Sequence, residues 1–137
     1  MQDVRRRVAR VFVASEDDST SINGYYTLSA SSIERELLAS DEAKRRPHYP
    51  VPTILIGRFA VDVRSQGRGL GETLLMDAVN RVIRASEAVA VYAIIVDAKN
   101  DDAFYFYQRY GFISSQTMPN RLYLPLDSLR KLNLDTS

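Results

Sequence analysis

Hydrophobic residues along the chain form two kinds of pattern: short apolar runs typical of buried strands, and a helical period. The β-branched, apolar segment 53–63 predicts a buried strand, and the continuous apolar run 88–96 predicts a second strand beside it. Between them, from about Gly69 to Ala85, apolar residues recur every three or four positions, as on the buried face of a helix. The pattern therefore predicts a strand, a helix and a further strand at the centre of the chain.

The segments before this centre predict an antiparallel hairpin. Residues 8–13 begin to alternate like a strand, and residues 25–30 supply a β-branched and aromatic partner. The polar stretch 16–24 between them ends in Asn-Gly, a strong signal for a hairpin turn. The other predicted elements are a short helix from Ser31, a proline-rich loop over 39–52, a helix from Asn100 to Gly111, and short strands at 112–115 and 122–126.

Length and composition narrow the class of protein. The 137 residues predict one domain, 1–137, in which a single sheet packs with helices. No apolar run approaches the roughly 20 residues of a bilayer span, and no secretory signal follows Met1. The absence of cysteine excludes disulfides, thiolate metal sites and a cysteine nucleophile. We therefore expect a soluble, cytoplasmic protein.

The turn between the central strand and the long helix is the strongest candidate for a binding site. It reads Val61-Asp-Val-Arg-Ser-Gln-Gly-Arg-Gly-Leu-Gly71. The first N–H groups of a helix have no intrahelical partner and lie at the positive end of its dipole, so a glycine-rich entry lets a diphosphate approach the backbone. Glycines also permit tight turns and close helix packing, and that explanation stays open. Neither the Walker A pattern nor Gly-x-Gly-x-x-Gly is present, so a phosphate ligand would belong to another class.

A second pattern further along the chain, taken with the first, resembles a known family. Gln66-Gly-x-Gly69-x-Gly71 is followed by Asn100-x-x-Ala103-x-x-Phe106-Tyr107-x-x-x-Gly111-Phe112, which is similar in sequence and spacing to the paired motifs of the GNAT family of N-acetyltransferases. The resemblance covers about residues 8–126. It implies an α/β (α+β) GNAT fold, with a mixed, mostly antiparallel central sheet flanked by helices and a parallel pair of strands at the acetyl-CoA site.

The resemblance also implies roles for individual residues. It implies that Tyr107 is the catalytic acid that protonates the departing thiolate of CoA, and that the backbone N–H of Val61 or Val63 polarises the thioester carbonyl. It implies acetyl-CoA as co-substrate and no metal. The residues implied to bind acetyl-CoA are Val61, Val63, Arg64, Gln66, Gly67, Arg68, Gly69, Leu70, Gly71, Asn100, Ala103 and Phe106.

Several of these residues also have ordinary structural explanations. Tyr107 lies at helical spacing from Ala103 and could belong to the core, and Asn100 could simply cap its helix. Arg64 and Arg68 could lie in a solvated loop. The central strand offers only Asp62 as a possible base. Since an α-amine titrates near pH 8 and a lysine near 10.4, the lack of an evident base favours an α-amine as acceptor.

A narrower likeness indicates one branch of the family. Gly24–Ala30, Tyr49–Asp62 and Leu122–Leu126 look like segments of the acetyltransferase toxins of type II toxin–antitoxin modules, whose relatives acetylate the α-amine of aminoacyl-tRNA and stop translation. The likeness implies aminoacyl-tRNA, a ribbon–helix–helix antitoxin and a second copy in a homodimer as partners, and no membrane. Such toxins usually have a helical region before the first strand, and only Asp3–Arg10 corresponds to it, so we expect part of it to be lacking.

Two other functions remain open at this point. One is a GNAT enzyme that acetylates a small-molecule or protein amine, and the other is a non-catalytic CoA-binding partner in a DNA-binding toxin–antitoxin repressor. Arg5–Arg7 and Lys44–Arg46 are basic clusters that could contact tRNA phosphates. A run of charges is more often a solvated face, and the modest net charge of +1 gives the tRNA interpretation no independent support.

Overall fold

The computed structural model describes residues 9–15, 22–33, 50–62, 67, 69–127 and 129. Their strands are β1 Arg10–Ser15, β2 Ile22–Ile33, β3 Val51–Val61, β4 Ala93–Asp97, β5 Ile113–Ser114 and β6 Arg121–Pro125, and their helices are α1 Leu70–Ala85 and α2 Asp101–Arg109. Three predicted segments lie outside the described residues: the helical residues before 9, most of the turn before Asn23, and the parts of the helix and loop that fall within 34–49.

The strands form one mixed sheet in the order β1-β2-β3-β4-β6-β5. β3 and β4 are parallel because the chain crosses from one to the other through α1, and the other neighbours are antiparallel. Phe12 pairs with Tyr26 between β1 and β2, and Ile95 pairs with Tyr123 between β4 and β6. The predicted fold class is confirmed.

The chain divides into two compact units. Met1–Ala30 and Leu55–Val89 form the first, which contains α1, and Ser31–Ile54 and Ala90–Ser137 form the second, which contains α2. The most deeply buried side chains of the first unit include Tyr26, Leu75 and Ala78, and those of the second include Ala93, Ile94, Leu122 and Leu126. The single domain expected over 1–137 stays a prediction.

The predicted antiparallel pairing before the central strand is confirmed, but the predicted turn at Asn23-Gly24 is wrong. Both residues lie inside β2, where Gly24 pairs with Ala14 of β1. A Cβ atom on Gly24 would lie 2.7 Å from Leu74 Cδ1 and 2.9 Å from the carbonyl oxygen of Ala60. Glycine therefore stands here because α1 and β3 approach closely, and not because the chain turns.

Three predicted boundaries are also wrong. Ser31 does not begin a helix, because β2 continues to the buried Ile33. β3 begins at Val51 rather than 53, since Val51 is buried in the core and the exposed Pro52 still accepts a hydrogen bond from the backbone N–H of Tyr92. β4 begins at Ala93 rather than 88, because residues 86–89 use their N–H groups to finish the C-terminal turn of α1.

The helices predicted from about Gly69 to Ala85 and from Asn100 to Gly111 are confirmed. α1 begins after Gly69 and buries the face that carries Leu74, Leu75, Ala78, Val79 and Val82. α2 begins after Asn100 and ends before Gly111, whose φ of 97° is in the left-handed region that favours glycine. Neither helix in the described part of the chain has the length and apolar composition that a bilayer span requires.

Candidate functional site

The glycine turn of the first unit presents bare backbone. Gly67 has a φ of 86° and Gly69 a φ of 78°, and side chains rarely tolerate this left-handed conformation. Both residues are exposed, and a Cβ atom on either would have no heavy atom of the described residues beyond its chain neighbours within 4 Å. The conformation accounts for these two glycines as turn residues, and both are exposed at the surface of the described chain.

The N-terminus of α1 follows directly from this turn. Gly69 is the N-cap residue and has no side chain with which to cap the helix, while its carbonyl oxygen accepts hydrogen bonds from the backbone N–H and the hydroxyl of Thr73, both at 3.1 Å. Leu70 and Gly71 are the first helical residues and are half-buried. The first-turn N–H groups of any helix lack intrahelical partners and lie at its positive end, so this terminus suits an anion.

The strand that leads into the turn ends at Val61, which is half-buried. The next backbone N–H, that of Asp62, donates to the carbonyl oxygen of Asn23 at 2.7 Å, so β2 still borders the chain where β3 ends. The predicted acetyl-CoA contacts Val63, Arg64, Gln66 and Arg68 lie outside the described residues.

In the second unit, Asn100 caps α2. Its side-chain oxygen accepts a hydrogen bond from the backbone N–H of Ala103 at 2.8 Å, and Asp101 and Asp102 place negative charge in the first turn. The capping explanation of Asn100 is thus confirmed. Because Asn100 is exposed, its amide NH₂ group is still open to a second contact.

Tyr107 is the buried residue of α2, with 5% of its surface exposed. Its ring packs against Phe106, with centroids 5.3 Å apart, and against Phe112 at 5.5 Å. Burial raises the pKa of Tyr107 to about 12, so the phenol keeps its proton at neutral pH. Tyr107 therefore belongs to the core, as one explanation predicted, and it can also act as a hydrogen-bond donor. Tyr105 is 61% exposed and points elsewhere, as predicted.

An ion pair at the end of β4 is a feature that the sequence did not predict. Arg121 of β6 donates two hydrogen bonds to the Asp97 carboxylate, at 2.7 and 2.8 Å, and these bonds raise the pKa of Arg121. Beside them, the backbone N–H of Ala98 donates to the carbonyl oxygen of Asn120 at 2.8 Å. These contacts hold the segment from which Asn100 and α2 begin. No local signal identifies the pair, because its members are 24 positions apart.

Comparison with known proteins agrees with these features. Residues 10–121 match the acetyltransferase (GNAT) domain. A tRNA-acetylating toxin of Mycobacterium tuberculosis is 38% identical over 124 residues, which cover 90% of this chain and 73% of the relative.

Solved structures show the same similarity in three dimensions. The structure of AtaT complexed with acetyl-methionyl-tRNAfMet has a TM-score of 0.85 and 33% identity, covering 94% of this chain and 78% of that one. A tyrosine-to-phenylalanine mutant of the AtaT toxin, bound to the C-terminus of the antitoxin AtaR and to acetyl-CoA, has a TM-score of 0.75 and 31% identity, covering 94% of this chain and 74% of that one. These matches confirm the resemblance seen in the two motifs.

Proposed function

Because the chain belongs to the GNAT family of acetyltransferases, we propose that it transfers the acetyl group of acetyl-CoA to the α-amine of aminoacyl-tRNA and thereby inhibits translation. The observation that carries this proposal is the similarity, over nearly the whole chain, to a tRNA-acetylating toxin. The similar fold of AtaT, solved with acetyl-methionyl-tRNAfMet, supports the same acceptor class.

We assign the pyrophosphate of acetyl-CoA to the glycine turn and the N-terminus of α1. The left-handed Gly67 and Gly69, both exposed, support this assignment. Arg64 and Arg68 would add positive charge, and Gln66, Leu70 and Gly71 would contribute backbone contacts. The N–H of Val61 or Val63 would polarise the thioester carbonyl, and Asn100, Ala103 and Phe106 would contact the pantetheine arm.

The reaction forms a bond between the amine nitrogen and the thioester carbon and breaks the bond from that carbon to sulfur. The nitrogen loses a proton to solvent, and the sulfur either takes up a proton or leaves as a thiolate that accepts a hydrogen bond. Tyr107 is suited to supply that hydrogen bond, because its buried phenol is protonated at neutral pH. Full proton transfer from Tyr107 to the sulfur is uphill, since an ordinary thiol has a pKa near 8.5. Desolvation of the departing thiolate raises the pKa of the sulfur and so narrows the difference between the two pKa values.

The acceptor amine must be neutral to attack. Asp62 is the single acidic residue of the strand and turn from Val51 to Gly71, and we assign it no role as base. An α-amine with a pKa of about 7.7–8.0 is partly neutral at physiological pH and can react without a dedicated base. This property supports aminoacyl-tRNA over a lysine side chain as the acceptor.

We further propose that the protein works as a cytoplasmic homodimer and that a ribbon–helix–helix antitoxin binds it. The support for an antitoxin is the similar fold of AtaT, which was solved bound to the C-terminus of the antitoxin AtaR.

The proposal is tested by incubating the purified protein with acetyl-labelled acetyl-CoA and a complete set of charged tRNAs, with uncharged tRNA as the control. We expect label that depends on charging and that is recovered as N-acetyl amino acid after hydrolysis of the ester. Absence of label from every aminoacyl-tRNA contradicts the proposal. Label on free amines or proteins instead would establish the other enzymatic function, and acetyl-CoA binding without transfer would establish the non-catalytic one.

A further inference from the structure

One face of α1 contacts its own unit through a continuous row of residues. Leu70 and Leu74 lie beside Gly24 of β2, since a Cβ atom there would be 3.6 and 2.7 Å from their methyl groups. Further along the helix, Asp77 accepts a hydrogen bond from the hydroxyl of Tyr26, also on β2. Because residues three or four apart share a helix face, the apolar contacts and this hydrogen bond form one row that starts in the first turn of α1.

The polar contact in this row is buried at one end. Tyr26 is fully buried, and its ring stacks on Phe12 with centroids 5.2 Å apart. Asp77 also accepts a hydrogen bond from Arg81 Nε at 2.9 Å, and the Arg81 guanidinium lies 4.2 Å from the centroid of the Phe12 ring. Tyr26, Asp77, Arg81 and Phe12 therefore form a closed cluster that joins α1 to β1 and β2.

Charge stabilises the same arrangement. Burial opposes ionisation of Asp77, but the hydrogen bonds from Tyr26 and Arg81 outweigh it and hold the pKa of Asp77 below its usual value. Burial, followed by the neighbouring Asp77, raises the pKa of Tyr26, so the phenol stays protonated and remains a donor. Donor and acceptor thus keep complementary states across the physiological pH range.

A hydrogen bond of this kind restrains the helix in a way that apolar contacts do not. Leucine side chains keep contact while a helix slides or rotates by a small amount, whereas a hydrogen bond weakens steeply once its angle is lost. A buried phenol without its partner would also bear its desolvation penalty in full. Fixing the register of one element against another is the best-attested structural use of buried polar groups.

We propose that Tyr26 and Asp77 are positioning residues for the pyrophosphate of acetyl-CoA: they hold α1 in the register that presents its first-turn N–H groups. Asp77 lies eight residues after Gly69, about 12 Å along a rigid helix, so a displacement at one point is transmitted to the other. The proposal rests on the proposed function, because it takes the glycine turn as the pyrophosphate site.

The test compares two acetyl donors, acetyl-CoA and S-acetylpantetheine, which lacks the pyrophosphate and the nucleotide. The measured quantity is the donor preference, that is, the ratio of kcat/KM values for acetylation of charged tRNA. We expect Tyr26→Phe, which removes one hydrogen bond to the Asp77 carboxylate, to lower the preference by about tenfold. Asp77→Ala removes the bonds from both Tyr26 and Arg81 and should lower the preference at least as much. Asp77→Asn keeps an acceptor oxygen for Tyr26 and should stay within about twofold of the wild type.

The matched control is a variant that destabilises α1 without removing a hydrogen bond. Val82 is also on the buried face of α1 and is 1% exposed, so Val82→Ala lowers stability through a cavity. We expect it to lower the unfolding midpoint while leaving the donor preference unchanged. An unchanged preference in folded Asp77→Ala and Tyr26→Phe, or an equal loss in Val82→Ala, would overturn the proposal.

Failure of the proposed function gives a different result. Calorimetric titration of the wild-type protein with acetyl-CoA requires no acceptor, so it reports on the donor site alone. A wild-type protein that binds no acetyl-CoA, or that uses both donors equally well, overturns the pyrophosphate assignment itself and the positioning role with it. Strong wild-type preference that all the variants retain overturns only the positioning role.

Discussion

Replacement of Tyr107 by phenylalanine removes one hydroxyl group and keeps the packing of the ring. The ring contacts with Phe106 and Phe112 are made by carbon atoms that phenylalanine also has. We therefore expect the stability of the variant to change by about 1 kcal/mol at most, the usual net contribution of one hydrogen bond. Affinity for acetyl-CoA should remain within about twofold, so that the loss appears in the chemical step.

The size of that loss in rate follows from the pKa of the Tyr107 phenol. Its pKa of about 12 lies well above the value near 8.5 of a thiol, a difference of about 3.5 units or roughly 5 kcal/mol. Tyr107 should therefore act more by a hydrogen bond to the departing sulfur than by completed proton transfer. Removal of one preorganised donor to a developing negative charge lowers a rate by about 10²–10³. We expect Tyr107→Phe to fall at the lower end of this range.

The assay is single-turnover acetylation of charged tRNA at saturating acetyl-CoA, with unfolding and calorimetric titration measured on the same preparations. Tyr105→Phe is the matched control, because Tyr105 is on the same helix but 61% exposed. A loss of less than about tenfold in folded Tyr107→Phe, or a comparable loss in Tyr105→Phe, would refute the role that we assign to Tyr107. In the wild type, the rate should rise through about pH 8 as the neutral fraction of the α-amine increases. It should show no decline from ionisation of Tyr107 until the pH approaches the pKa of Tyr107, about 12.

Three further predictions concern stability. The folded state raises the pKa of Tyr107 to about 12 from an unfolded value near 10, so the contribution of this group to the free energy of unfolding is complete below about pH 10 and is lost as the pH rises through 12. Urea unfolding between pH 9 and 11 should show the free energy of unfolding fall by at most about 1.4 kcal/mol per pH unit from this group. Tyr107→Phe should reduce the slope of that fall with pH. Gly24→Ala should destabilise the protein by about 1–3 kcal/mol, because the new methyl group meets Leu74 and a backbone oxygen at less than 3 Å; unchanged urea unfolding would contradict the close approach of α1. Asn100→Ala should lower the free energy of unfolding by about 1 kcal/mol because it removes the helix cap, whereas Asn100→Asp should keep the cap and the stability. A fall in acetyl-CoA affinity for both variants would indicate that Asn100 also contacts the pantetheine arm.

Much of the local structure could be predicted from the chain because it depends on near neighbours. The apolar periodicity of α1, the asparagine cap and terminal glycine of α2, and the strand character of β3 all arise within a few residues. The paired motifs indicated the family for the same reason, since each motif is a short segment whose glycines and cap have local conformational roles. The errors at Asn23-Gly24 and Ser31 arose where turn and cap signals were overruled by pairing and burial along β2.

From the sequence alone came the two motifs and the elements around them: a glycine turn before α1, and an asparagine at the start of α2 with a tyrosine at helical spacing behind it. Which distant groups meet depends on the folded chain, as in Tyr26 with Asp77, 51 positions apart, and Asp97 with Arg121. The tertiary structure also decided how far the pKa of Tyr107 rises. The physical reason is that a cap or a helical period depends on backbone dihedrals within a turn, whereas hydrogen bonds between elements and desolvation depend on strand pairing and packing that no local pattern specifies.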